Sequence, residues 1–266
     1  MPATNTWTDN LPLKIANILT FVFLFGSNTY GSLSPHGTGR ETYFTPASWV
    51  FYVWTIINAL LLGFVIYQFF APSHDVVYGI GWRFPLVGIL NAIFVHVFVT
   101  RHYIVAFIFA VLLASSVSTV YYSLSSTYHP GSIGDTLFVH LPFSLWHAWS
   151  IVTVFISAFA LFTHSHHGHP STISTILVVA AEAFLTLTAI GYAFRSREGD
   201  IAGSAVLFAT LLGIYQEQPS AVIRYCALAG AIISGLAIVK SLYFTFVSRE
   251  RGVSLGTEDE RRPLVA

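Results

Sequence analysis

Residues 44–68 read FTPASWVFYVWTIINALLLGFVIYQ, and this stretch decides the fold. Its apolar residues follow one another without the strict alternation of a half-buried strand, and the run is long enough for a helix to cross a bilayer. Pro46 suits the first turn of a helix, and an aromatic side chain such as Trp49 favours the membrane interface. We therefore predict a membrane-spanning helix whose inward face carries Phe51, Trp54 and Asn58.

The rest of the chain repeats this pattern. Hydrophobic residues make up 55% of the 266 residues and charged residues 9%, whereas a soluble domain carries roughly 25% charged residues. Because continuous apolar runs favour helices over a membrane barrel, the sequence predicts an all-α, multi-pass integral membrane protein, in a membrane that the sequence does not identify. The eight predicted transmembrane helices are 11–33, 47–71, 82–100, 103–124, 137–163, 172–194, 200–215 and 220–247.

Several classes of function find no support in the sequence. The formal net charge is zero, which argues against a nucleic-acid partner. The chain contains no phosphate-binding loop, no H-E-x-x-H motif and no G-x-S-x-G motif, and no paired carboxylates occur at helical spacing. We therefore expect a protein that is not an enzyme.

Polar residues inside apolar spans are expensive unless they face the interior of a bundle. Asn17 and Asn28 share one stripe of the first span, and the simplest interpretation of such residues is an interhelical hydrogen bond of about 0.6 kcal/mol. Glu182 is the one acidic residue within the apolar spans, and a carboxyl group there is expected to be protonated or paired. The loop His164-Ser165-His166-His167-Gly168-His169 is either a metal site or a solvated loop.

Three motifs resemble those of a known family. Residues 44–68 resemble the signature of the translocator protein / tryptophan-rich sensory protein (TspO/MBR) family, in which a proline precedes a tryptophan-bearing helix. Residues 141–152, LPFSLWHAWSIV, are similar to the start of that family's fifth helix. Leu90-Asn91 followed by Phe94 is similar to its third-helix motif, with Phe in place of Trp.

The resemblance implies a domain organisation. A five-helix translocator-like unit would span 1–163, and three additional transmembrane helices would span 164–247, as in long members of the family. Residues 248–266 are polar with mixed charge and are predicted to form a disordered tail. The chain departs from the family at Val154, where an Asn is usual, and at Asn58, where an aromatic residue is usual.

The resemblance also implies a function. Family members bind hydrophobic planar ligands, either tetrapyrroles such as porphyrin or haem or sterol-like molecules, in a pocket between five helices under the loop 34–46. Aromatic faces and a few polar groups in this chain suit such a pocket, in a sensor, receptor or carrier. His147 is either a haem-iron ligand or a hydrogen-bonding histidine. The predicted ligand-binding residues are Trp49, Phe51, Trp54, Asn58, Asn91, Phe94, Phe143, Trp146, His147 and Trp149.

Two other hypotheses remain open. The first is a proton-coupled secondary transporter in which Glu182 carries the proton with His96 nearby, although no internal repeat of the kind common in transporters is evident. The second is a scaffold that assembles with other proteins. The expected partners are membrane lipid and a hydrophobic small molecule, and helix faces of small residues permit a homodimer.

Overall fold

The computed structural model describes residues 10–34, 39–70, 77, 79–128, 130–162, 170–196 and 198–259, with side chains to residue 247. Its regular structure within these ranges is entirely helical. The eight main helices are α1 Leu11–Leu33, α2 Val53–Tyr67, α3 Arg83–Val99, α4 Tyr103–Thr127, α5 Leu141–Phe162, α6 Thr172–Phe194, α7 Ile201–Glu217 and α8 Ala221–Asp259.

The predicted fold class is confirmed, because each predicted span overlaps one of these helices. Six helical segments are long and apolar enough to cross a membrane. Helices α3 and α7 are shorter, with 17 residues each, which corresponds to about 26 Å of helix. They lie at the lower limit of length for spanning hydrocarbon. Helix α8 continues into the segment that the sequence predicts to be a disordered tail.

The first five helices form a closed ring. Contacts run from α1 to α2, from α2 to α5, from α5 to α4, from α4 to α3 and from α3 back to α1. Helices α6, α7 and α8 contact one another, and α7 also packs against α5. Because α5 therefore has neighbours on both sides, 67% of its most apolar window is buried, against 28–33% in the other long spans. The domain boundary at residue 163 stays a prediction.

Helix α5 begins with an irregular lead-in. A short helical turn, Ile133–Asp135, is followed by five residues of π-helix, Thr136–His140. Pro142 has no N–H group and its ring crowds the carbonyl group four residues earlier, so a widened turn at this point has a physical cause. The Ser132 side chain accepts a hydrogen bond from the Asp135 N–H group at 3.0 Å, which places the helix start before the predicted residue 137.

Two of the later helices also begin at side-chain caps. Ser171 accepts a hydrogen bond from the Ser174 N–H group at 3.1 Å at the start of α6. Asp200 accepts a hydrogen bond from the Gly203 N–H group at 3.0 Å at the start of α7. Gly199 precedes this cap with φ +70°, a conformation that favours glycine. These caps satisfy backbone donors that hydrocarbon cannot.

The close approach of α1 and α3 generates a first prediction. A Cβ atom at Gly88 of α3 would collide with the Thr20 methyl group of α1. We expect Gly88→Ala to lower the free energy of unfolding by about 1–3 kcal/mol, because overpacking forces the helices apart. Denaturant titration in detergent, followed by circular dichroism, measures this change. Gly26→Ala is the control, because its methyl group would meet no atom within 4 Å, and an equal loss in both variants contradicts the prediction.

Candidate functional site

A cavity of about 350 Å³ lies inside the five-helix ring. It is bounded by α1, α2, α3, α5 and the 3-10 turn Ser48–Tyr52 that leads into α2. Ser34 and Ser48, which flank the connection between α1 and α2, both line it. The cavity thus lies at the end of the ring where this connection crosses, and its volume falls within the range of small-molecule sites, about 300–1,000 Å³.

Aromatic side chains form much of the cavity wall. Phe51 meets Trp149 edge to face, with ring centroids 5.6 Å apart. Trp54 lines the cavity and is backed by Trp146, again edge to face at 6.0 Å. On α3, Phe94 lines the wall together with the residue one turn later. Such faces provide flat apolar contact surface for a ligand.

A ladder of asparagine side chains connects the three helices on one side of the cavity. Asn91 of α3 donates a hydrogen bond to the Asn28 Oδ1 atom at 3.0 Å, and Asn28 of α1 donates to the Asn58 Oδ1 atom at 3.5 Å. Asn58 of α2 donates to the Trp54 carbonyl oxygen at 2.8 Å. Because only Asn28 of these amides lines the cavity, the ladder mainly holds α1, α2 and α3 in position.

The lining of the cavity carries no charge. Among the described residues that line it, none is acidic, basic or histidine, and the polar members are hydroxyl, amide and indole groups. The Trp149 Nε1–H group is buried and has no hydrogen-bond partner within the described part of the protein. The cavity therefore presents apolar surface together with uncharged hydroxyl and amide groups such as those of Thr55 and Asn28.

The structure separates the ten predicted site residues into three groups. Phe51, Trp54, Phe94 and Trp149 line the cavity. A second layer behind these residues or beside Asn28 consists of Asn58, Asn91, Phe143 and Trp146. Trp49 and His147 contact other helices and do not line the cavity. The role of all ten residues in binding stays a prediction.

Trp49 and His147 lie elsewhere for identifiable reasons. The Trp49 Nε1–H group donates a hydrogen bond to the Gln216 Oε1 atom of α7 at 2.7 Å. His147 has partners at both ring nitrogens, Ser118 of α4 at 2.9 Å and the Tyr192 hydroxyl group of α6, and it stacks on Tyr121 at 4.4 Å. This is the environment of a hydrogen-bonding histidine, and neither nitrogen is left for a haem iron.

The residues of the transporter hypothesis are not brought together. Glu182 on α6 is 2% exposed, and neither carboxylate oxygen has a partner within the described residues. His96 is exposed on α3, which does not pack against α6. The histidine loop 164–169 lies outside the described residues. In the part of the chain that the structure describes, no group of three metal-binding side chains occurs.

Several cavity residues escape the sequence-based prediction. Asn28 and Gly31 lie one turn apart on α1, and Thr153 lies one turn after Trp149 on α5. Helical spacing from Trp149 could have indicated Thr153, because positions four apart share a face. Asn28 did carry a signal, because a polar residue within an apolar span is expected to face the bundle interior, but the sequence analysis interpreted it as an interhelical hydrogen bond and not as a cavity residue.

Comparison with known proteins identifies the class to which this bundle belongs. The protein is an integral membrane protein whose described residues form eight main helices around a largely apolar cavity. A family model described as TSPO-like protein matches residues 11–240, from α1 into α8, and the chain belongs to this family. The predicted relationship is thereby confirmed. No curated protein and no solved structure matches the chain.

The asparagine ladder generates a second prediction. Asn28→Ala removes two side-chain hydrogen bonds and leaves polar atoms of Asn58 and Asn91 unpaired. We expect a loss of about 1–3 kcal/mol in the free energy of unfolding, because unpaired buried polar groups are not solvated by lipid. Ser27→Ala is the control, since its hydroxyl group bonds only to the Leu24 carbonyl oxygen of its own helix. Thermal and denaturant unfolding in detergent measures the stability of both variants. Equal losses of stability in the two variants would contradict the prediction.

Proposed function

We propose that the protein binds a hydrophobic planar ligand within the five-helix ring and acts as a sensor, receptor or carrier without chemical turnover. The observation that carries this proposal is the uncharged aromatic cavity of about 350 Å³. Membership of the TSPO-like protein family agrees with it. The protein is embedded in a membrane, so a ligand that partitions into lipid has direct access to the helices around the cavity.

The chemistry of the lining favours a neutral, sterol-like ligand over a tetrapyrrole. A porphyrin carries two carboxylates, and a buried carboxylate requires a cation or several hydrogen-bond donors. No basic side chain occurs among the described lining residues. A neutral ligand requires only apolar contact and hydrogen bonds with the uncharged hydroxyl and amide groups of the lining. A haem ligand is disfavoured, because no histidine occurs among the described lining residues and both nitrogens of His147 are engaged.

Filling the cavity tests the proposal. Thr153→Phe places a large ring inside the cavity, and we expect it to weaken binding of a fluorescent sterol in nanodiscs by at least about tenfold, or 1.4 kcal/mol. Energy transfer from tryptophan to the sterol measures the affinity. Thr29→Phe is the matched control, because Thr29 is exposed on α1 and, like Thr153, bonds to the carbonyl oxygen four residues earlier. Equal affinities in the two variants would exclude this cavity as the binding site.

The charge of the ligand is tested with two forms of one ring system. Protoporphyrin and its dimethyl ester share the same planar ring, and only the acid carries carboxylates. We expect the ester to bind more tightly than the acid, because no cationic side chain occurs among the lining residues that the structure describes. A tighter acid would restore the tetrapyrrole hypothesis.

A second candidate function rests on one observation. Glu182 is buried on α6, in the group formed by α6, α7 and α8, and both of its carboxylate oxygens lack a partner in the described structure. An intramembrane carboxyl group of this kind is typical of proton-coupled transporters. His96 is exposed on α3, which makes no extensive contact with α6, so Glu182 would act alone.

Proteoliposomes decide between the two functions. In a transporter, Glu182→Gln is expected to abolish uptake driven by a proton gradient, because glutamine keeps the shape of the side chain and cannot carry the proton. Sterol binding is expected to be unchanged, since Glu182 does not line the cavity. Gradient-driven uptake that survives the substitution would remove this candidate.

A further inference from the structure

The connection between α1 and α2 is fastened to the end of α7. The Gln218 side chain, just after α7, donates hydrogen bonds to the carbonyl oxygens of Thr42 at 3.1 Å and Thr45 at 2.7 Å. The Ala47 N–H group donates to the Gly213 carbonyl oxygen at 3.1 Å. We call residues 42–50 the clasp segment. Its attachment to α7 thus combines side-chain and backbone hydrogen bonds.

The clasp segment is ordered from within as well. The Thr42 N–H group donates to the Thr45 Oγ1 atom at 2.9 Å, which closes a compact turn. Phe44, inside this turn, is fully buried and stacks on Phe159 of α5 at 5.0 Å. The segment therefore has a defined turn conformation and contacts both α7 and α5.

The clasp segment continues directly into the cavity wall. Ser48 lies within the segment and lines the cavity, and Phe51 and Tyr52 follow it in the same 3-10 turn. Any outward movement of residues 42–47 would carry these wall residues with it, because Ala47, which contacts Gly213, is directly followed by the wall residue Ser48. A change in the attachment to α7 would consequently change the position of the cavity wall.

From these contacts we infer that α7 sets access to the ligand cavity, with Gln218 as a positioning residue that acts through the clasp segment. The inference rests on the proposed function only in taking the cavity as a binding site. Gln218 is 2% exposed and is not among the residues that line the cavity, so we expect it to affect opening and not ligand contact. The helices beyond the five-helix ring thereby acquire a role in ligand exchange.

Cysteine accessibility tests this inference without any ligand. Cys226 is the single cysteine, so Cys226→Ala with Thr153→Cys gives one reporter thiol inside the cavity. In this background, Gln218→Met removes both hydrogen bonds to the clasp at nearly constant length. We expect a small methanethiosulfonate reagent to label the reporter about tenfold faster, because two lost hydrogen bonds favour the open state by about that factor.

Gln68→Met is the matched control. Gln68 is equally buried and also bonds across helices, to Asn17 and to the Lys14 carbonyl oxygen, but it follows α2 at the other end of the bundle. Its labelling rate is expected to stay within about twofold of the background rate. Equal labelling in the Gln218 and Gln68 variants, with matching circular dichroism, would overturn the inference.

A second variant, Gly213→Ala, tests the inference if Gln218→Met fails to fold. A Cβ atom at Gly213 would collide with Val50 and lie 3.2 Å from Pro46, so Gly213→Ala pushes the clasp segment away from α7. It is also expected to accelerate labelling, whereas Gly191→Ala, with no atom within 4 Å, is not. Absence of sterol binding to the wild type would refute the proposed function, and unchanged labelling in Gly213→Ala would refute the inference.

Discussion

Hydrocarbon offers no hydrogen-bond partner, and this constraint determines both the fold and its exceptions. Every polar side chain that enters the bilayer must find another protein group, so the asparagine ladder and the Gln218 attachment fix where helices meet. The groups that lack a partner among the described residues then become informative. Trp149 lines the cavity although its Nε1–H group is itself buried, and the Glu182 carboxyl group is buried on α6. Each marks a place where packing alone does not account for the residue.

The sequence predicts the helices well because their signal is local. A continuous apolar run requires a helix in lipid, whatever surrounds it. The family motifs also predicted cavity residues, since Phe51, in the 3-10 turn that leads into α2, and Trp54, at the start of α2, both line the cavity. The rotation of each helix about its axis has no such local signal, because it depends on contacts with other helices. Trp49 and His147 therefore joined the predicted site, although contacts with α7, α4 and α6 hold them away from the cavity.

The most important contacts that the sequence does not reveal connect residues far apart along the chain. Trp49 and Gln216 are 167 positions apart, and the Gln218 contacts with the clasp segment are similarly distant. Glutamine near a helix end has no motif that distinguishes a structural contact from a solvated side chain. The hydrogen-bond partners of the Gln218 side chain are backbone carbonyl groups, which carry no sequence signature. Only the folded arrangement shows that α7 and the cavity wall are joined.

Helix α5 belongs to the ring on one side and to the later helices on the other. Its outer face carries Ser144 and His147, which bond to Asp200 and Tyr192 beyond the ring. A shortened chain ending after α5 would expose this polar face to acyl chains. The later helices are therefore needed to cover the polar face of α5. Loss of these helices during evolution would require apolar replacements on that face.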